Sequence, residues 1–411
     1  MIDKSVLVYD SGLFTSFAEV LTKHFAKVYY FAPWENGYAK SQSLQIGSGL
    51  DGVERVKYFW NVVNDVDLFI FTDYCFQDIQ EELKRQGKLV WGFGKTSWLE
   101  SDRMALREWQ DKENMYYPKT EEVCGLDELK ETIKPNQFIK ISEFRNDMET
   151  LKHYSEECSE QFFDELSVKL GAGKCDMQFI IEDKIDGIEP GYDTWTIAGQ
   201  NPSKLLCGYE IKDEAYCAKW IDQSQLAKPM KDVQSKLDKV FADESTIGFY
   251  STEIRMPDSK RGYLLDFTAR MGNPPFQLYC AMIRNLGEIL WNGAQGKVVE
   301  PILTAKWGAI AIINSDFASR NWMPLMIEND AKDYVFLMNK CIKDTIPYVV
   351  PQQGLSEIGA VVGMGKTLDE AIENCKKNSE GISGYQLEID IASLDKAKEV
   401  VSKGQKYGVM I

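Results

Sequence analysis

Apolar runs and helical periodicities alternate along the first hundred residues. The run KSVLVY at 4–9 reads as a strand, and Phe14, Phe17, Ala18, Leu21 and Phe25 then recur at helical spacing, which predicts a helix over 14–25. Further strand-like runs fall at 27–32, 67–71 and 88–91, with a helix at 76–86 between the last two. Strands alternating with helices imply a parallel sheet, whose ligands bind beyond the carboxyl ends of its strands. The loops at 10–16, 71–74 and 91–96 are therefore singled out. In the first of them, Ser11-Gly12 and Thr15-Ser16 either offer hydroxyls and helix-start amides to a phosphate or form an ordinary cap and tight turn. No GxGxxG follows the first strand, so the dinucleotide fingerprint is absent.

Amphipathic helices are predicted over 101–111 and 126–133, followed by the strand FIKI at 138–141. Its one lysine, Lys140, stands among apolar neighbours; it either faces solvent or enters a cleft to neutralise an anion. Asn146 with Glu149 fits a capping box opening a long helix over 147–170, which the run Gly171-Ala172-Gly173-Lys174 would stop. That run is no phosphate loop, because Val168 and Cys175 occupy the positions that would have to be Gly and Ser or Thr. A strand, MQFIIE at 177–182, ends in acid, and runs at 192–198 and 205–212 continue an antiparallel sheet. After a helix at 228–243 comes FYSTEIRMPDSKRGYLLDFTARMGNPP at 249–275, two apolar runs flanking a polar turn, the pattern of a hairpin. On it Glu253, Asp266 and Thr268 can share one face, with Arg270 just beyond. Hard oxygen ligands placed so suit Mg²⁺ held against phosphates; a solvated hairpin with surface charges fits the spacing equally well. A helix is expected at 277–290. The last hundred residues read as an α+β unit, with strands at 307–313, 348–350 and 358–363 and helices at 367–377 and 394–403. The fold class is thus α/β plus α+β, divided at 1–100, 101–300 and 301–411.

Composition narrows the function. A chain of 411 residues, 44% hydrophobic, has enough apolar content for two or three cores. Nine cysteines without a CxxC pair, and only His24 and His153 as imidazoles, give no support to a zinc site or a disulfide framework. Free thiols suit a reducing compartment. With neither a leader-like start nor a membrane-length apolar run, a soluble, cytoplasmic protein is expected, with no membrane partner. A net charge of −16 argues against nucleic acid as partner and leaves room for a local basic pocket that holds a small anion.

Taken together, LVWGFGKTSWLESDR, FIKI, FIIEDKIDGIE and STEIRM with LLDFTARMG resemble the ATP-grasp superfamily. The arrangement of all three parts, down to the tail EIGAVVGMGKTLDEAIENC, is most similar to phosphoribosylamine-glycine ligases, the glycinamide ribonucleotide synthetases of purine synthesis. The resemblance implies an ATP-grasp fold and an enzyme forming carbon-nitrogen bonds. It would hold ATP between two α+β subdomains, activate a carboxylate as acyl phosphate and pass it to an amine. By the same resemblance Lys140 contacts the ATP phosphates, with Arg103 standing where the family often has lysine. Glu182, Asp183, Lys184 and Ile185 form the adenine edge, and Glu189 binds ribose. Glu253 and Asp266 carry Mg²⁺, with Mn²⁺ as its alternative, and Thr268 stands where asparagine is usual. Arg270 steadies the transferring phosphoryl group, and Lys212 and Lys219 add weaker phosphate contacts. The loop 142–146 is the expected cover over the site. Partners would be a small carboxylate and an amine, acting on a monomer or homodimer.

Three departures bear on the acceptor. SEFRND replaces the family's glycine-rich flap, Asn273-Pro274-Pro275-Phe276-Gln277 replaces Asp-Pro-Glu-Thr-Gln, and Ser11-Gly12 replaces paired glycines. An altered substrate, another ATP-grasp acceptor chemistry of the biotin-carboxylase or peptide-forming kind, and a non-catalytic nucleotide-binding partner protein all remain open.

Overall fold

The period-two pattern of the hairpin becomes two paired strands, Ile247–Arg255 and Tyr263–Thr268, at one edge of the largest sheet. In this computed structural model, which describes residues 1–33, 45–141, 150–211, 214–352 and 355–411, Glu253 lies directly opposite Asp266, and Ser251 opposite Thr268. Directly opposed residues share a face, so the sequence register holds. A bulge follows at Leu265, where the next pair is Ile254 with Leu264. Bulges re-aim side chains and free carbonyls. Here the helix Arg103–Lys112 receives them: Arg107 donates to the Leu264 and Leu265 carbonyls at 3.2 and 2.6 Å, and Gln110 to Leu264 at 2.9 Å.

From that edge the sheet continues antiparallel through Pro190–Ile197, Lys204–Ile211, Ala215–Asp222, Trp307–Asn314, Glu357–Gly365 and Val335–Leu337. It therefore crosses the boundary expected at residue 300, because Trp307–Asn314 bonds to Ala215–Asp222. The strand Ala215–Asp222 was not foreseen; seven of its eight residues are shielded from solvent. The first segment forms the expected parallel sheet, ordered Val53–Arg55, Phe25–Phe31, Ile2–Tyr9, Leu68–Phe71, Leu89–Trp91. Its first helix is shorter than predicted, Thr15–Leu21, because Phe25 is already in a strand beside Ile2.

A third, four-stranded sheet carries the lysine strand Gln137–Lys140 between Gln178–Asp183 and Thr150–His153, with Thr120–Cys124 at the other edge. The helix expected over 147–170 is corrected here. Residues Thr150–His153 are a strand paired with Gln137–Lys140, and the helix starts only at Glu156, capped by Ser155, whose hydroxyl accepts from the Cys158 amide at 3.3 Å. The helix expected over 277–290 is likewise two, Phe276–Met282 and Leu286–Gly293, with an extended backbone at Ile283 between them. The proposed capping pair Asn146 and Glu149, and the loop 142–146, lie outside the described residues. All nine cysteines are free thiols. Among the described residues no helix is long and apolar enough to cross a membrane.

Candidate functional site

The cleft between the four-stranded sheet and the hairpin face of the large sheet encloses about 1000 Å³. Such a volume suits a nucleotide-sized ligand. Lys140, at the end of its strand, is buried; its Nζ lies 2.6 Å from Asp266 Oδ2 and 3.2 Å from Glu182 Oε2. Arg103 Nε stands 3.4 Å from Asp266 Oδ1, and Arg107 Nε donates to Glu182 Oε1 at 2.7 Å. Arg103 and Arg107 are four apart on one helix and so present one face. Burial would raise both acids, but for Asp266 the cations Lys140, Arg103 and Arg107 outweigh it, and for Glu182 Lys140 and Arg107 do, holding both carboxyls below the usual range.

At the far end, Arg270 is held by Glu100 at 3.1 Å and Asp73 at 3.5 Å, and the second Glu100 oxygen accepts the Ala269 amide at 2.7 Å. Asp73 comes from the loop 71–74 that follows a parallel strand, so that loop does reach the site. In the loop at 10–16 the Thr15 and Ser16 hydroxyls are taken up by the fold. Thr15 and Ser16 donate to the Leu337 carbonyl at 2.8 and 3.0 Å, and the Asp10 carboxylate accepts the Phe14 amide.

The remaining sequence candidates divide. Asp183, Ile185, Glu189, Glu253 and Thr268 line the same cleft as Arg103, Lys140, Glu182, Asp266 and Arg270. Asp183 accepts from Gln137 at 2.7 Å, and Glu189 forms an ion pair with Arg255. Lys184 does not line the cleft; its ammonium pairs with Asp186 at 2.6 Å. Lys219 lies 5.3 Å from the centre of the Trp307 ring, also outside the lining. Lys212 and Arg145 fall outside the described residues. Sequence reasoning missed Arg107, Glu100, Arg255 and Asp193. Only Arg107 left a signal, its i+4 spacing from Arg103.

Two opposed carboxylates with a neighbouring hydroxyl are a donor set that fits Mg²⁺, which takes one or two protein carboxylates and leaves other positions to phosphate and water. Among the described residues no group of three acids, thiols or imidazoles forms a complete metal cage.

Asp193 stands on the neighbouring strand, opposite Ser251, and is 2% exposed. Burial pushes its carboxyl up to about 6, moderated by Ser251 and Tyr216. A raised folded value stabilises the fold below the ordinary carboxylate range, and that stability is lost as pH rises through about 6. Asp238, lifted to about 6 by burial, adds a second step of the same sign. The urea midpoint of the protein should therefore drop between pH 5 and pH 7, and Asp193→Asn should make the drop shallower; an equally steep drop in the variant would refute the assignment to Asp193.

No protein-family model matches the sequence, and no curated protein matches it. Solved structures do. Phosphoribosylamine-glycine ligase from Thermotoga maritima superposes with a TM-score of 0.70 at 13% identity, over 94% of this chain and 98% of that one. The biotin carboxylase domain of 2-oxoglutarate carboxylase from Hydrogenobacter thermophilus, in complex with MgADP, ADP and bicarbonate, gives 0.67 at 10% identity, over 100% and 97%. L-amino acid ligase from Bacillus licheniformis gives 0.61 at 14% identity, over 94% and 99%. These are ATP-grasp proteins, and the chain has the ATP-grasp fold.

Proposed function

We propose that the chain is an ATP-dependent carboxylate-amine ligase that forms an amide through an acyl phosphate. The observation that carries this reading is the convergence in one cleft of Lys140, Arg103 and Arg270 with the opposed pair Glu253 and Asp266. The base would lie along the backbone at 182–185, with the ribose near Glu189, whose carboxylate pairs with Arg255. Glu253, Asp266 and Thr268 would hold Mg²⁺, which supplies charge neutralisation to the phosphates when bound. Lys140 and Arg103 meet the phosphate chain, and Lys212 would join them. Arg270, fixed by Glu100 and Asp73, is aimed at the phosphoryl group in transfer. Phosphoryl transfer is mostly positioning and electrostatics, so no protein nucleophile is required. Small-molecule partners, a cytoplasmic setting and a monomer or homodimer complete the reading.

A phosphoribosylamine-glycine ligase-like activity, in purine synthesis, is the narrower form of the proposal. The acceptor side favours an altered substrate: Asn273 and Pro275 stand where the family carries two acids, and Asn273 donates to Glu357 at 2.8 Å and accepts from Gln277 at 3.1 Å. The test is ADP release from Mg²⁺-ATP against a panel of amino acids and amines, including glycine with phosphoribosylamine generated in place. Turnover with at least one carboxylate-amine pair is expected. Normal ATP binding with no turnover on any pair would favour a non-catalytic nucleotide-binding role.

A further inference from the structure

Next to the phosphate end, the cleft contains a buried acid that the proposed chemistry has not used. Asp193 lines the cleft, and its two oxygens differ: Oδ2 accepts from the Tyr216 hydroxyl at 2.7 Å, whereas Oδ1 has no hydrogen-bond partner. Ser251 is near enough to influence the carboxyl without bonding to Oδ1. No cation pairs with it among the described residues. This distinguishes it from Asp266 and Glu182, each neutralised by a lysine and an arginine. A buried carboxylate without a cation is costly, and it is best satisfied by a cationic hydrogen-bond donor.

Oδ1 is itself enclosed, and a residue packed against it is a glycine of the cleft lining. Gly272 also lines the cleft, and a Cβ at Gly272 would stand 3.1 Å from Asp193 Oδ1. Tyr279, close enough to feel the Asp193 charge, packs in the buried core 6.3 Å from Trp195 and 5.7 Å from Trp220, centroid to centroid. Tyr279 and Gln277 each bring a further buried polar atom without a partner, on the helix that Pro275 caps.

Resting on the ligase reading above, we propose that Asp193 binds the amino group of the acceptor, which is a small primary amine presented as its ammonium ion. Asp193 takes one proton from the ammonium. The amine lone pair then forms the C–N bond as the C–O bond to phosphate breaks, and phosphate leaves with that electron pair and the second proton. Tyr216 orients the carboxylate and is a positioning residue.

The experiment compares the full chain with Asp193→Asn and Gly272→Ala in three measurements. These are binding of a fluorescent ADP analogue, formation of hydroxamate from Mg²⁺-ATP, a carboxylate panel and hydroxylamine, and ADP release with the same carboxylates and primary amines. Hydroxylamine is uncharged at neutral pH and so does not need the carboxylate. Asp193→Asn should lower kcat/KM for the amine by about 30-fold, mainly through KM, as expected for a lost charge-assisted hydrogen bond. ADP-analogue affinity and hydroxamate formation should stay close to the parent. Gly272→Ala, with the charge intact, should also raise KM for the amine. Equal loss of hydroxamate and amide formation in Asp193→Asn would make the residue structural and overturn the proposal, as would unchanged amine kinetics. If the parent chain itself neither binds the ADP analogue nor forms hydroxamate, the ligase reading fails and this inference fails with it.

Discussion

Asp266→Asn should reduce Mg²⁺-dependent ATP turnover by about 10³-fold or more while leaving the protein folded. Asparagine keeps the shape of the side chain but removes the charge that Lys140 and Arg103 share with the proposed cation site. Two effects then add. The proposed metal position would lose one of its two carboxylates, and Lys140, released from Asp266, is drawn to Glu182, its remaining partner at 3.2 Å. The effect on stability is much smaller, because the Asp266 side chain is 28% exposed to the cleft and water screens the pair; about 1 kcal/mol is expected. Glu253→Gln should behave alike, since Glu253 is the opposed member of the same pair. Steady-state ADP release, with circular dichroism and ADP-analogue binding as controls, separates the two effects. An unchanged kcat in both variants would sink the metal assignment.

What could be read from the chain beforehand follows a physical division. The hairpin register was legible because period-two alternation fixes which side chains share a face, and Glu253 does oppose Asp266. The pattern around Lys140 left a solvent face and a cleft both open, the resemblance implied the cleft, and the side chain is buried there. The parallel sheet followed from alternating strands and helices. The strand Thr150–His153 was lost inside a predicted helix because its four residues, TLKH, have no strong alternation, and its identity comes from pairing with Gln137–Lys140. The strand Ala215–Asp222 went unread because neither of its faces is solvent-exposed along most of its length, so it lacks a polar rhythm. The partners of the site residues were hidden for another reason. Glu182 meets Arg107 across 75 positions of sequence, and Arg270 meets Glu100 across 170, separations at which local pattern carries no signal. The free oxygen of Asp193 is a property of packing alone.

Arg107→Leu should cause a large loss of stability, about 3–5 kcal/mol at pH 7. Arg107 is 2% exposed, and its guanidinium serves four acceptors at once: Glu182 Oε1, Gln110 Oε1 and the Leu264 and Leu265 carbonyls at the hairpin bulge. Leucine fills part of the volume but leaves these acceptors short of a donor, and Glu182, 3% exposed, is left with Lys140 as its cation. Glu182→Gln is the informative contrast, because it keeps an acceptor for Arg107 and removes only the charge; its loss should be smaller. The pH dependence follows from the depressed Glu182 carboxyl. A lowered folded value stabilises the fold above the ordinary carboxylate range, and that contribution disappears as pH falls through the folded value. The stability gap between parent and Arg107→Leu should therefore narrow below about pH 4. Urea midpoints of the three proteins at pH 7 and pH 3.5 give the comparison. A gap that stays constant with pH would mean that Arg107 holds the bulge through its carbonyl bonds alone, with the Glu182 pair contributing nothing to the fold.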